Sequence, residues 1–335
     1  MSYLVGQWGT GAVGRRTLGA LIEHPDLELA GVVSDDPRQA GVDAAELAGT
    51  GRRLGVPVSG DPAGLLAVRP RVVCHTGGSA DDLCRVLEAG VGVISNVLPM
   101  LVDPPSADQG LVRRLRSACA TGGAACLTLG PGLVGDVLPL LLSGACRRID
   151  GIKVTEFHRV DGPGTAGRFG FGEPIGRRPP IVRPGAPARR WGPAVRLLAR
   201  HLAVPLDDLA ETHEPCAAPE ALEVPGGRIE KGALAGLRFQ VAGVLNRRPV
   251  ITVEHVVRAR ADLAPHWPAA PFGEAGGYRV EIAGEPAARM DLAGPGGADA
   301  TALRMVNAVR AVAEAPPGLH TPLTLPVFTG RRLLR

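Results

Sequence analysis

An apolar strand that runs straight into a glycine-spaced turn and then a helix leaves few folds open to the chain that carries it. Tyr3-Leu4-Val5-Gly6-Gln7-Trp8 has the composition of such a strand, and Gly9-Thr10-Gly11-Ala12-Val13-Gly14 follows it as a GxGxxG turn. In this order Gly9 permits the tight turn and Gly11 lets the main chain approach a pyrophosphate. Gly14 lets the helix pack on the strand, its N-terminal amides facing the anion. In a chain with 46 glycines the spacing alone is weak, and the flanking sequence gives it weight. Val13, Thr17, Leu18, Leu21 and Ile22 form an apolar stripe at helical spacing, His24-Pro25 ends that helix, and Leu27 to Val33 reads as a second strand. The whole is one strand, helix, strand crossover of about 30 residues. The expected ligand is a nicotinamide dinucleotide held by Gly9, Thr10, Gly11, Ala12, Val13 and Gly14.

The end of the second strand faces the adenosine ribose, where an acidic residue selects NAD and a small hydroxyl residue with an arginine accepts the 2′-phosphate of NADP. Asp35 and Asp36 argue for NAD, Ser34 and Arg38 for NADP, and Asp36-Pro37 also has the form of a turn. The expectation is NADP or NAD, with NADP slightly favoured through Ser34, Asp35 and Arg38.

Further strand and helix signals alternate to about residue 150. Arg71 to His75, Gly92 to Val97 and Ala124 to Leu129 read as strands; Ala80 to Glu88, Ser106 to Thr121 and Asp136 to Gly144 read as helices. Such alternation predicts a doubly wound parallel (Rossmann) sheet of the α/β class, with ligands at the carboxyl ends of the strands. This adds Thr76, Gly77, Gly78 and Asn96 as candidates for the nicotinamide half. From Gly151 the pattern becomes strand after strand (Gly151 to Val160, Leu237 to Leu245, Val250 to Arg258, Tyr278 to Ile282), which predicts a second, α+β domain on a mostly antiparallel sheet. The expected division is 1–150 for the dinucleotide domain, with 299–335 packing back onto it through a helix from Thr301, and 151–298 for a substrate and dimerisation domain. Residues 161–190, rich in Gly, Pro and Arg, read as a solvated linker or a lid loop; Phe169 and Phe171 favour the lid.

Composition narrows the function classes. No apolar run is long enough to cross a bilayer, and Met1-Ser2-Tyr3 leads into the first strand with no basic segment or cleavage site, so a cytoplasmic protein without membrane contact is expected. The six cysteines have no metal-site spacing and read as buried thiols. The net charge of +4 rests on arginine, Lys153 and Lys231 being the only lysines, and aromatic residues make up 3%, too few for stacking on nucleic acid.

Taken together, several segments resemble the dihydrodipicolinate-reductase-like oxidoreductases that include 2,4-diaminopentanoate dehydrogenases and native amine dehydrogenases. They are Gln7 to Arg16, Glu23 to Leu29, Asn96-Val97, Pro131-Gly132, Gly135 to Leu140, Lys153 to Phe157, Asn307-Ala308-Val309, Ala315 to Gly318 and Thr321-Pro322-Leu323. The resemblance implies hydride transfer between a nicotinamide and an amine carbon, with a glutamate after the fifth strand activating water or handling the amine proton. Here that segment, Leu98 to Pro105, has no glutamate, and Asp103 is its only acid; Gly130-Pro131-Gly132 stands where the family usually has Asn-Pro-Gly.

The candidate catalytic residues are therefore Asp103, which the sequence equally allows as a helix cap, and Glu156 with His158, which share one face of a strand. The function expected is an NAD(P)-dependent oxidoreductase of carbon–nitrogen bonds, of amine dehydrogenase or imine reductase type. Its substrate is a small amine, imine or carbonyl compound, and a homodimer would cover the open sheet. The missing glutamate keeps two alternatives open: a carbonyl reductase on the same fold, and a cofactor-binding protein acting as a sensor or in a non-redox biosynthetic step.

Overall fold

The computed structural model describes the chain except residues 1, 131–134, 159, 161, 226, 274–275, 295 and 335. The strands, in chain order, are β1 (Tyr3–Trp8), β2 (Leu27–Val33), β3 (Val58–Ser59), β4 (Val72–His75), β5 (Gly92–Ser95), β6 (Ala125–Thr128), β7 (Arg148–His158), β8 (Asp208–Ala217), β9 (Leu222–Val224), β10 (Gly227–Ile229), β11 (Leu234–Leu245), β12 (Arg248–Arg258), β13 (Gly277–Glu285), β14 (Ala288–Leu292) and β15 (Gly318–His320). The helices are α1 (Ala12–Glu23), α2 (Ala44–Leu47), α3 (Pro62–Ala67), α4 (Ala80–Glu88), α5 (Gln109–Gly122), α6 (Val137–Ser143), α7 (Pro163–Phe169), α8 (Ala186–His201) and α9 (Gly297–Ala313). Residues 1–133 with 298–335 form one unit and residues 134–297 another. The break thus falls near 133 rather than the expected 150, because α6 packs on β7, β13 and α8.

The first unit is built on a seven-stranded sheet in the order β15-β6-β5-β4-β1-β2-β3, every neighbouring pair parallel. β4, β5 and β6 are buried along their whole length, which is why each is apolar up to its last residue, where His75, Ser95 and Thr128 stand. One sheet face packs Val73, Val93 and Cys126 against Leu83 and Leu87 of α4 and Leu115 of α5. The other packs Val5, Val72, Ile94 and Leu127 against Leu21 of α1 and Met305, Val309 and Val312 of α9. The strand order reverses between β1 and β4, so the crevice at their carboxyl ends is where a doubly wound sheet takes its ligand.

The second unit has a six-stranded sheet, β14-β13-β7-β12-β11-β8, antiparallel except for the parallel pair β7 and β12. Asn246 (φ 51°) and Arg247 (φ 64°) close the β11–β12 hairpin, a two-residue turn with both central residues left-handed. Trp191, Val195 and Leu198 of α8 cover Leu237, Phe239, Val241, Val253 and Val257. The opposite face carries charge. Glu254, with no exposed side-chain surface, accepts from Arg238 Nε (2.8 Å), Gln240 Nε2 (2.5 Å) and Thr155 Oγ1 (2.9 Å), and pairs with Lys153 Nζ at 2.8 Å.

Residues 162–190 do not form a lid loop. They fold as α7, a 3-10 turn over Pro180–Val182 and the start of α8, and Phe169 is 1% exposed inside the α8 core. Their glycines and prolines are end signals: Pro163 opens α7, and Gly170 (φ 74°) and Gly185 (φ 78°) take the left-handed positions after one helix and before the next. Among the described residues no helix is long and apolar enough to cross a membrane.

Candidate functional site

The turn after β1 is tight at both ends and open at its centre. A Cβ on Gly9 (φ 91°) would lie 2.4 Å from Gly77 N, and one on Gly14 would lie 2.1 Å from Gly9 O, so both positions are closed to any side chain. At Gly11 a Cβ would meet nothing within 4 Å. Gly11 is also the N-cap of α1, with no side chain capping the helix, so the first amides of α1, at Ala12 and Val13, face open space with the positive end of the helix dipole. This geometry fits a pyrophosphate. Gln7 and Thr76 hold the turn in shape. Gln7 Nε2 donates to Gly9 O (2.7 Å) and Thr76 Oγ1 (2.9 Å), and Thr76 Oγ1 donates to Gly9 O (2.9 Å). Thr76 thus braces the glycine turn, and Gln7, buried in β1, was not legible as part of the site.

At the end of β2, Ser34 is buried and turned inward, its Oγ 2.8 Å from Thr10 Oγ1 and 3.0 Å from Gln39 Oε1. Asp35 is exposed. Arg38 is engaged by Asp36 through Nε (2.9 Å) and a second guanidinium nitrogen (2.8 Å), and these bonds hold the Asp36 carboxyl down at about 2. The residues expected to receive a 2′-phosphate are therefore each occupied by a neighbour.

Gly77 and Gly78 (φ 87°) follow β4 and Asn96 follows β5, at the carboxyl edge of the sheet. His75, the last residue of β4, is fully buried against Trp8 with neither ring nitrogen partnered; burial pushes it down to about 4, so it is a neutral packing residue. Asp103 lies between two 3-10 turns, fully buried, accepting from Ser106 Oγ. It does not cap α5, whose N-cap is Asp108, with Oδ1 accepting from Leu111 N at 2.7 Å. The Pro131-Gly132 segment lies outside the described residues.

In the second unit the structure brings Glu156 and His158 together, and adds His255. The parallel register sets Glu156 opposite His255 and His158 opposite Val257, so the three side chains emerge on the face covered by α8. His158 Nε2 is 2.9 Å from His255 Nδ1, His158 Nδ1 is 3.7 Å from Glu156 Oε1, and His255 Nδ1 is 3.5 Å from Glu156 Oε2. Phe169 packs on His158 (ring centroids 4.9 Å apart), while Trp191 (4.3 Å) and Phe239 (4.7 Å) pack on His255. Arg168 and Arg190 stand beside the cluster, over Phe169 and Trp191 respectively. Burial pushes Glu156 up to about 7, only partly offset by the two arginines. Burial, with the same arginines, pushes His158 down to about 3 and holds His255 well below its ordinary value. At neutral pH this sets a carboxyl group of raised proton affinity beside two neutral imidazoles that hydrogen-bond to each other.

The same three groups offer two nitrogens and an oxygen within 4.8 Å of one another. Two neighbouring guanidinium charges oppose a cation there; a hydrogen bond joins the two rings and strand register brings Glu156 beside them. His255 escaped the sequence reading although its signal was present: Ile251, Val253, His255 and Val257 alternate toward the core, and a histidine in such a row needs a polar partner.

Residues 191–331 match the family of 2,4-diaminopentanoate dehydrogenase C-terminal domains. An amine dehydrogenase of Streptomyces virginiae is 34% identical, over 96% of this chain and 95% of its own length. A 2,4-diaminopentanoate dehydrogenase of Acetoanaerobium sticklandii is 26% identical over 74% of this chain and 70% of its own. Among solved structures, an amine dehydrogenase from Mycobacterium smegmatis superposes with a TM-score of 0.78 at 23% identity, covering 98% of this chain and 97% of that one. GenD2 of gentamicin A biosynthesis, solved with NAD, gives 0.55 at 17% identity, covering 96% and 90%.

Proposed function

The chain belongs to the amine dehydrogenase family and is an NAD(P)-dependent oxidoreductase; within that family we propose that it interconverts a small primary amine and the corresponding imine. The observation that carries this reading is the uncapped start of α1 over a Gly11 with no neighbour, a cradle shaped for the cofactor pyrophosphate. The bound dinucleotide would supply the hydride chemistry, with its diphosphate on Gly9, Thr10, Gly11, Ala12, Val13 and Gly14 and its nicotinamide half near Gly77, Gly78 and Asn96. Glu156, with a proton affinity matched to neutral pH, accepts the amine proton in one direction and returns it in the other. It takes the part that the resemblance assigns to a glutamate after the fifth strand. Asp103, buried and held by Ser106, is read as a structural acid of the segment after β5 rather than the proton carrier.

For the cofactor we favour NAD over the NADP expected from the sequence, since Arg38 is neutralised by Asp36 and the exposed Asp35 opposes a 2′-phosphate. A homodimer belongs to the same reading. Helices α6 and α8 cover one face of the six-stranded sheet; on the other, Ala264 and Trp267 pack over Phe157 and Val256, and the part around the half-buried Lys153 and Arg238 is where a second copy would sit.

A binding panel with NAD and NADP in both redox states, read by thermal shift, tests the cofactor. A ligand at about a hundred times its dissociation constant stabilises by roughly 2.7 kcal/mol. Amine plus oxidised cofactor and imine plus reduced cofactor are then assayed in parallel. Binding without turnover of any amine, imine or ketone would leave the sensor alternative standing and overturn this one.

A further inference from the structure

His158 and His255 are both neutral at neutral pH, so between them they carry two N–H groups and two bare nitrogens. At the 2.9 Å contact one ring must donate and the other accept. If His158 Nε2 donated, His255 would carry its proton on Nε2, a buried atom with no partner, and His158 would present a lone pair to Glu156. If His255 Nδ1 donates, His158 carries its proton on Nδ1, directed at Glu156, and the unpartnered Nε2 of His255 is a bare lone pair. An ionised Glu156 selects the second arrangement, because it needs a donor. A protonated Glu156 selects the first, because its O–H needs an acceptor. The two arrangements of the cluster differ by one proton.

We propose that His255 is a positioning residue that makes Glu156, His158 and itself a single proton relay, entered at His255 Nε2 and ending on the Glu156 carboxylate. The inference rests on the reading that Glu156 handles the proton of the amine reaction. Once Glu156 has returned its proton to the imine, a solvent proton taken up at His255 Nε2 displaces the Nδ1 proton of His255 onto His158 Nε2, and His158 passes its own Nδ1 proton to Glu156 Oε1; in the amine-oxidising direction the same transfers run backwards and release the proton to solvent. One proton enters, one arrives, and both rings are neutral before and after with their tautomers exchanged. The last step spans 3.7 Å, which the carboxyl closes by swinging about half an ångström around its broad terminal torsion; His255 Nδ1 also lies 3.5 Å from Glu156 Oε2, but its proton is committed to His158 Nε2 at 2.9 Å. Trp191, whose indole N–H is buried without a partner, packs beside the outer ring. The other groups facing the relay are Arg168 from α7, Arg190 from α8, and Tyr278, opposite Glu156 on β13. The arginines explain why a proton is carried without placing charge on either ring.

NMR of the full chain with labelled histidine and glutamate, without cofactor, tests the relay directly. The Glu156 carboxyl and His255 Nε2 are expected to titrate with one midpoint, while His158 changes from the Nδ1–H to the Nε2–H form. A His255 Nε2 that stays unchanged through the Glu156 titration, or a His158 of fixed tautomer, overturns the proposal. In turnover, His255→Asn keeps a donor to His158 but cannot pass a proton. It is expected to lower kcat by roughly 10²-fold with KM unchanged, and to turn a curved proton inventory in mixed light and heavy water into a straight one. A rise in KM at constant kcat makes His255 a packing residue and refutes the relay. If no amine is turned over, the proposed reaction fails while the NMR result still decides the relay; if the variant does not fold, the wild-type titration decides alone.

Discussion

Gly11 and Gly14 stand three residues apart in one turn, yet a methyl group has opposite consequences at each. Gly14→Ala drives a Cβ into the carbonyl of Gly9 and is expected to destabilise the fold by about 3 kcal/mol. Gly11→Ala meets no protein atom, so its unfolding free energy is expected within about 0.5 kcal/mol of wild type while the thermal shift given by nucleotide disappears. Chemical denaturation and the binding panel separate the two. Glu156 gives a pH signature. Its carboxyl is raised in the folded state from 4.5 to about 7, so the wild type loses up to about 3 kcal/mol as pH rises through that window, when the unfolded chain ionises and the folded one resists. Glu156→Gln lacks this loss, and the urea midpoints of the two proteins are expected to diverge from pH 5 to pH 7 in favour of the variant. The glycines were legible because their job is local to one turn. The Glu156, His158 and His255 cluster was only two-thirds legible, because the pairing of β7 with β12 is set by a register that no local pattern encodes.

At the scale of elements, the alternation of strand and helix signals gave away the parallel sheet, the alternating character of Gly151 to Val160 gave away β7, and segments rich in Val, Ile and Leu gave away β11, β12 and β13. Short pieces such as β3 and β15 are held by their neighbours in the sheet and leave little pattern of their own. Residues 162–190 misled for a physical reason: two helices and a 3-10 turn in so short a span need a terminus every few residues, and terminus residues are those of a linker. Phe169 was the clue, and it lies in the core. The β11–β12 hairpin offers a clean test of turn chemistry. Arg247 is exposed in the left-handed region (φ 64°) of a turn that suits Asn-Gly, and Asn246 already supplies the first half. Arg247→Gly is expected to stabilise the protein by about 1 kcal/mol, read as a rise in Tm, by removing that strain.

At the scale of the whole molecule the first unit is discontinuous, its sheet begun by residues 1–133 and finished by residues 298–335. A chain ended after residue 296 lacks α9 and β15 and leaves Val5, Val72, Ile94 and Leu127 with one wall of their core missing. Such a chain is expected to bind a hydrophobic dye, aggregate and give no thermal shift with NAD. A monodisperse product that still binds the nucleotide would refute the role given to α9. The return of the closing helix was visible in its apolar stripe; the early break at 133 was not, because α6 continues the strand and helix rhythm of the unit it does not belong to.

That discontinuity also orders events on the ribosome. The unit whose synthesis starts first is the last to be sealed, for residues 134–297 emerge complete while the opening parallel sheet still waits for its final forty residues or so. During that interval a broad greasy flank stands open to water or to a chaperone, and slow codons just before Gly297 would lengthen the exposure.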